Sequence, residues 1–179
     1  MYQKSRLLGL LSASLLLALS GPSVAEPPDA KNFVTHLDSA QEVPERDCPG
    51  QGQAVFKLSK DGAELSYRLI ASNIDNVVAA HIHLGVAGTN GPVVLFLFGP
   101  ASPGGGSHNG ILGEGTATSG DLVGPLAGMD LSVLVAALNS GGAYVNVHTN
   151  DGVGPTNEGC GDFPGGEIRG QIFAAGPKD

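Results

Sequence analysis

From residue 32 onward, apolar and polar residues alternate in short runs separated by Gly, Pro, Asn and Asp. Successive side chains of a β-strand point to opposite faces, so this alternation predicts half-buried strands. Phe33-Val34-Thr35-His36-Leu37 is the first run, followed by a Pro/Cys/Gly turn region through Gly52. Runs 53–58 and 64–70 flank Lys60-Asp61-Gly62, and Asp-Gly between alternating runs signals a hairpin, with Leu65, Tyr67 and Leu69 on one face. Further runs cover 77–84, 93–98, 111–118, 144–149 and 167–173. About eight strands with turn signals at this spacing predict an all-β domain, a Greek-key β-sandwich or flattened barrel of antiparallel strands. One segment has a different period. Asp130 caps a run in which Leu131, Leu134, Val135 and Leu138 fall on one helical face, and Gly141-Gly142 ends it. A single short helix covering an end or edge of the sheet is expected. The long loops are 99–110 and 150–165.

The first residues follow another logic. Lys4 and Arg6 precede an apolar run, 7–19, that ends in Ser23-Val24-Ala25, the small-x-small pattern of a cleaved secretory signal. The apolar core, about 13 residues, is shorter than the roughly 20 needed to span a bilayer. Residues 1–25 are therefore read as a signal peptide, 26–31 as a loose lead-in, 32–174 as the domain and 175–179 as a tail. The expected location is periplasmic or secreted, with no membrane association after cleavage. Cleavage before Glu26 takes away Lys4 and Arg6 and no acid, moving the formal charge from −8 to −10. Such a surface repels phosphate backbones, and nucleic acid is not an expected partner.

Two cysteines in an exported chain, Cys48 and Cys160, point to one disulfide; the competing reading is a metal or redox pair, although neither belongs to a CxxC. The bridge would tie the segment after the first strand to the loop before the last one.

Candidate chemistry comes from strand phase. In His81-Ile82-His83 the two imidazoles share a face while Ile82 points to the core. In 144–149, Val145 and Val147 inward place Tyr144, Asn146 and His148 on the other side, and Ile168 and Ile172 inward do the same for Glu167, Arg169 and Gln171. If these strands are neighbours, three histidines, a carboxylate and a guanidinium converge outside the core. Imidazole suits copper, zinc, iron or nickel, and three histidines without thiolate or several carboxylates disfavour calcium and magnesium. Three protein ligands leave a position open for water or substrate. The bland alternative is three polar strand residues bonded to nearby loops. His108, in the Gly-rich loop, is either a fourth ligand or a solvated histidine, and His36 has no partner motif. Asp151 and Glu158 are either orienters of an imidazole N–H or solvated acids. Arg169 either attracts an anion to the metal or pairs with Glu167 or another carboxylate. The connection 85–91 lacks the GxxxxGK[ST] of a phosphate loop, and no GxSxG elbow exists.

Ala80-His81-Ile82-His83-Leu84-Gly85, Asn90-Gly91-Pro92-Val93-Val94, 142–149 and Phe163-Pro164-Gly165-Gly166-Glu167-Ile168-Arg169-Gly170-Gln171 resemble, in that order, the CHRD (chordin) domain, over roughly residues 32–174. The resemblance implies an extracytoplasmic β domain and leaves the activity open. A second resemblance is to copper–zinc superoxide dismutases, which are Greek-key sandwiches with an HxH pair, a later copper-binding histidine in a strand and a C-terminal arginine near the copper. His81, His83, His148 and Arg169 follow that order, but the His-rich zinc loop is missing, so the resemblance implies at most a copper-only site. The expectation is thus an exported CHRD domain binding a redox-active metal, copper favoured with iron or zinc open. A small anion such as superoxide would be the substrate if the protein is an enzyme. The alternatives are a non-catalytic adhesion module for protein or glycan, and a metal storage or delivery protein.

Overall fold

The computed structural model describes residues 31–176; the expected signal peptide, most of the lead-in and the last three residues of the tail lie outside them. The strands are β1 (Asn32–Asp38), β2 (Gln51–Leu58), β3 (Leu65–Asp75), β4 (Val77–Leu84), β5 (Val93–Phe98), β6 (Ser107–Ala117), β7 (Ala143–Thr149), β8 (Ile168–Gln171) and β9 (Phe173–Ala174). They pair antiparallel in the order β5-β4-β7-β8-β1-β2-β3-β6, with β9 on β1. The crossings from β3 to β4 and from β6 to β7 join strands that are not neighbours, and the two ends of the path, β5 and β6, approach each other to make a nearly closed barrel. At the remaining seam, Tyr67 Oη donates to Leu97 O of β5 at 3.3 Å. Gly113 of β6 lies so close that a Cβ there would stand 2.4 Å from the same oxygen.

The period-two pattern acts as predicted in β1 and β2, where exposed and buried positions alternate along the strand. Phe33, Leu37, Phe56, Leu65 and Leu69 enter the core with Ile82, Val145, Val147 and Ile168 from the opposite wall. The helix α1 (Leu131–Asn139) starts at Asp130, whose side chain accepts from Ser132 N, and it buries Leu131, Leu134, Val135 and Leu138. Burying a leucine side chain is worth about 2 kcal/mol, so these contacts rather than helix propensity hold so short a helix.

Two elements differ from the sequence expectation. The last run divides at Ile172 into β8, paired with β7, and β9, paired with β1. Strand β6 begins at Ser107, inside the expected Gly-rich loop, because β3 continues past a register shift to offer Ile74 and Asp75 as partners of His108 and Ser107.

Cys48 and Cys160 form the expected disulfide, across a sequence separation of 112. A cross-link over a loop of this length stabilises by about 5 kcal/mol through the entropy of the unfolded chain. Cys48→Ser/Cys160→Ser should lower the unfolding free energy by about that amount, measured by urea denaturation against the oxidised parent.

Candidate metal centre

Strands β4 and β7 are neighbours, the condition on which convergence of the histidines depends. Their register sets His81 opposite Asn146, His83 opposite Tyr144 and Ala79 opposite His148. His148 therefore lies diagonally across from His81, within reach of a long side chain. The ring centroids are 4.9 Å apart for His81–His148 and 5.7 Å for both His81–His83 and His83–His148. One nitrogen from each ring lies within 4.8 Å of the others, a group able to hold a metal ion.

Backbone carbonyls fix two of the three tautomers. His83 Nδ1 donates to Gly91 O at 2.9 Å, and His148 Nδ1 donates to Pro164 O at 2.9 Å. A carbonyl only accepts, so each Nδ1 carries the proton and each Nε2 presents a lone pair. The lone pair of His83 Nε2 is buried with no hydrogen-bond partner among the described residues. That of His148 Nε2 faces His81 Nδ1 at 3.1 Å. Two nitrogens bound at about 2.0–2.1 Å to one ion, with an angle of roughly 100° between them, stand about that far apart. Without a metal, the His81 Nδ1 proton bridges the same gap.

Burial, then repulsion from His148 and His83, lowers the His81 pKa from 6.5 to about 4. Burial likewise lowers His148 to about 4, against the opposing pull of Pro164 O. Burial also lowers His83, opposed by Gly91 O and reinforced by the Arg169 charge. All three rings are neutral at pH 7, the form that ligates.

The face that strand phase placed outside the core is not open to solvent. His81, His83 and His148 are 8–9 % exposed and every residue of β7 is buried. The loop 85–92 supplies part of this cover. Its Gly91 N donates to Tyr144 Oη at 3.0 Å while Gly91 O receives His83. Tyr144 stacks on His83 at 5.0 Å and carries the Arg169 guanidinium 3.5 Å from its ring centroid. Only glycine fits at position 91, because a Cβ would lie 1.6 Å from Leu84 O. On the other side of the cluster, Phe96 of β5 meets His81 edge-on at 4.5 Å.

The remaining candidates go elsewhere. Arg169 is 1 % exposed and donates to Asn90 Oδ1, Val86 O and Thr89 O, which pins the 85–92 loop. The alternative Arg169–Glu167 pair does not form, since Glu167 Oε2 accepts from Thr149 Oγ1 and Gly161 N. His108 is not in the metal-competent group: the β3 ladder holds it on β6, and its Nε2 bonds Gly110 O. His36 lies beside Asp38 at 4.0 Å. Asp151 and Glu158 do not orient the imidazoles, because carbonyls take that role; Asp151 caps Val153 N instead. Sequence reasoning missed the oxygens of Gly91 and Pro164, which lie 8 and 16 residues from the histidines they orient and which strand phase does not register. It also missed Glu42, 6 % exposed, with Oε1 unpartnered and Oε2 at 3.5 Å from Asn146 Nδ2.

A family model for the CHRD domain matches residues 33–172, and the chain belongs to the CHRD domain family. Searches of curated proteins and of solved structures found no match.

Burial raises the Glu42 pKa from 4.5 to about 7, against the lowering effect of Arg169 and Arg46. Between those values the folded state binds more protons than the unfolded one, so this group's contribution to stability falls as pH rises through that window. His81 and His148 act oppositely: with folded values of about 4 against 6.5, they withdraw stability as pH falls. Glu42→Gln isolates the first effect. It should stabilise the metal-free protein by up to about 3 kcal/mol near pH 8 and by nothing near pH 4, read from urea midpoints across the range.

Proposed function

We propose that this CHRD domain is an exported metal-binding protein in which His81, His83 and His148 hold one redox-active transition ion, copper ahead of iron or zinc. The observation that carries this reading is the pair of Nε2 lone pairs, fixed by Gly91 O and Pro164 O, beside the facing His81 Nδ1. The donor set is all imidazole, which suits copper and leaves calcium and magnesium poorly served. The disulfide supports export, as does the leader in the sequence. Among the described residues, no helix is long and apolar enough to cross a membrane.

Bound copper would supply one-electron redox chemistry, and superoxide dismutation is the reaction we assign to it. The protein's part is to hold the rings neutral, orient His83 and His148 through backbone carbonyls and keep water from most of the site. Arg169 contributes its charge, which acts on His83, while three of its five N–H donors hold the 85–92 loop. The acidic net charge, −8 over the whole chain, gives no long-range attraction for an anion, so Arg169 favours it only at close range. A second reading, storage or delivery of the ion without turnover, draws on the same 8–9 % exposure of the rings.

Chelator-stripped protein should take up one equivalent of copper, with nitrogen hyperfine structure in the Cu(II) EPR spectrum. His83→Ala should weaken binding by more than about 100-fold, at or beyond the upper end of the loss expected for an outer-shell change. Copper-dependent superoxide decay supports the enzyme. Stoichiometric copper without turnover supports storage, and no stoichiometric uptake of any of the three metals overturns the site.

A further inference from the structure

The solvent face of the opposite wall breaks the rule that outward positions of an antiparallel sheet are polar. Phe173, Val34, Val55, Ile70 and Ile111 are 59, 38, 43, 39 and 49 % exposed. They come one from each of β9, β1, β2, β3 and β6. Val34 is paired with both Phe173 and Val55. Ile70 is two residues along β3 from Val55's partner Arg68, and it pairs with Ile111. The five side chains thus form one diagonal stripe across adjacent strands, roughly 20 Å long at the spacing of strands in a sheet. Part of it lies in a groove of about 530 Å³ lined by Val34, Val55, Lys57, Ser66 and Arg68 among others, a volume in the range of small-molecule sites.

Charge is distributed unevenly around this groove. The chain is acidic, yet four of its nine basic residues, Lys31, Lys57, Lys60 and Arg68, lie at the hairpin end of β1–β3. Asp61, Glu64, Glu114 and Asp121 are the acids there, and Asp121 is engaged by Thr118 in the turn after β6. Glu114 is taken by Arg68 at 2.9 Å, while Lys57 makes no ion pair among the described residues. The groove has an apolar body and an unneutralised cation at one end. We propose that it binds a single anionic amphiphile, a long-chain carboxylate whose chain lies along Val34 and Val55 and whose head meets Lys57. A stripe one side chain wide suits a hydrocarbon chain rather than the broad face of a protein partner.

Dodecanoate below its micellar concentration, titrated calorimetrically into the full chain, tests this. Saturable 1:1 binding is expected, at least tenfold weaker for dodecanol and at least tenfold weaker in Lys57→Glu and in Val55→Ser. Both positions face solvent, so thermal unfolding of the variants should match the parent. Absence of saturable binding, or equal binding by the variants, overturns the proposal. So does flotation with anionic vesicles without binding of the monomeric carboxylate, and so does a dimer in sedimentation that Val55→Ser dissociates.

Discussion

The register between β4 and β7 is the constraint on which the site depends. Side chains alternate along a strand, so a slip of one residue would turn His81 and His83 inward and Ile82 outward, ending both site and core together. Ile82, Val145 and Val147, all fully buried, hold the register from the inside. The same pairing that seals the hydrophobic interior thus sets three imidazoles on its reverse side. Folding and site assembly are one event in this chain, because no separate element carries the ligands.

The reverse face would be an ordinary solvated surface without its cover. The loop between β4 and β5 returns over His83, and its contacts form a closed set. Gly91 receives from the imidazole and donates to the tyrosine, the tyrosine stacks on the imidazole, and Arg169 lies over the tyrosine ring while gripping the loop. Removing water depresses the basicity of the rings and strengthens the fields that reach them. A fully buried arginine tolerates this environment because three oxygens and an aromatic face replace its hydration.

Much of this was legible in the sequence. The strands followed from alternation, the helix from Asp130 and its 3–4 spacing, the disulfide from compartment logic, and the shared face of the histidines from strand phase. What escaped detection was tertiary. The start of β6 lay hidden in Gly-rich text because it depends on where β3 ends, and His108 therefore sits on a ladder instead of a mobile loop. Arg169 read as a cation outside the core that attracts an anion or pairs with a carboxylate, since phase gives the side of a strand but not what comes to rest on it. The carbonyls that orient His83 and His148 leave no side-chain signature at all. Only the demand for a missing Cβ at residue 91 marks one of them.

The cross-link has a topological effect that its energy does not express. Every strand from β2 to β7, and with them all three imidazoles, lies within the covalent ring closed by Cys48 and Cys160. The exposed connection 99–106 lies in the same ring, between the HxH strand and the strand of the third histidine. A single backbone cut there produces two fragments that remain one molecule, each held in the sheet by its own ladder partners. For this chain, a gel band split only after reduction marks a nicked protein whose ligand set is still tethered, not one that has lost half of its site.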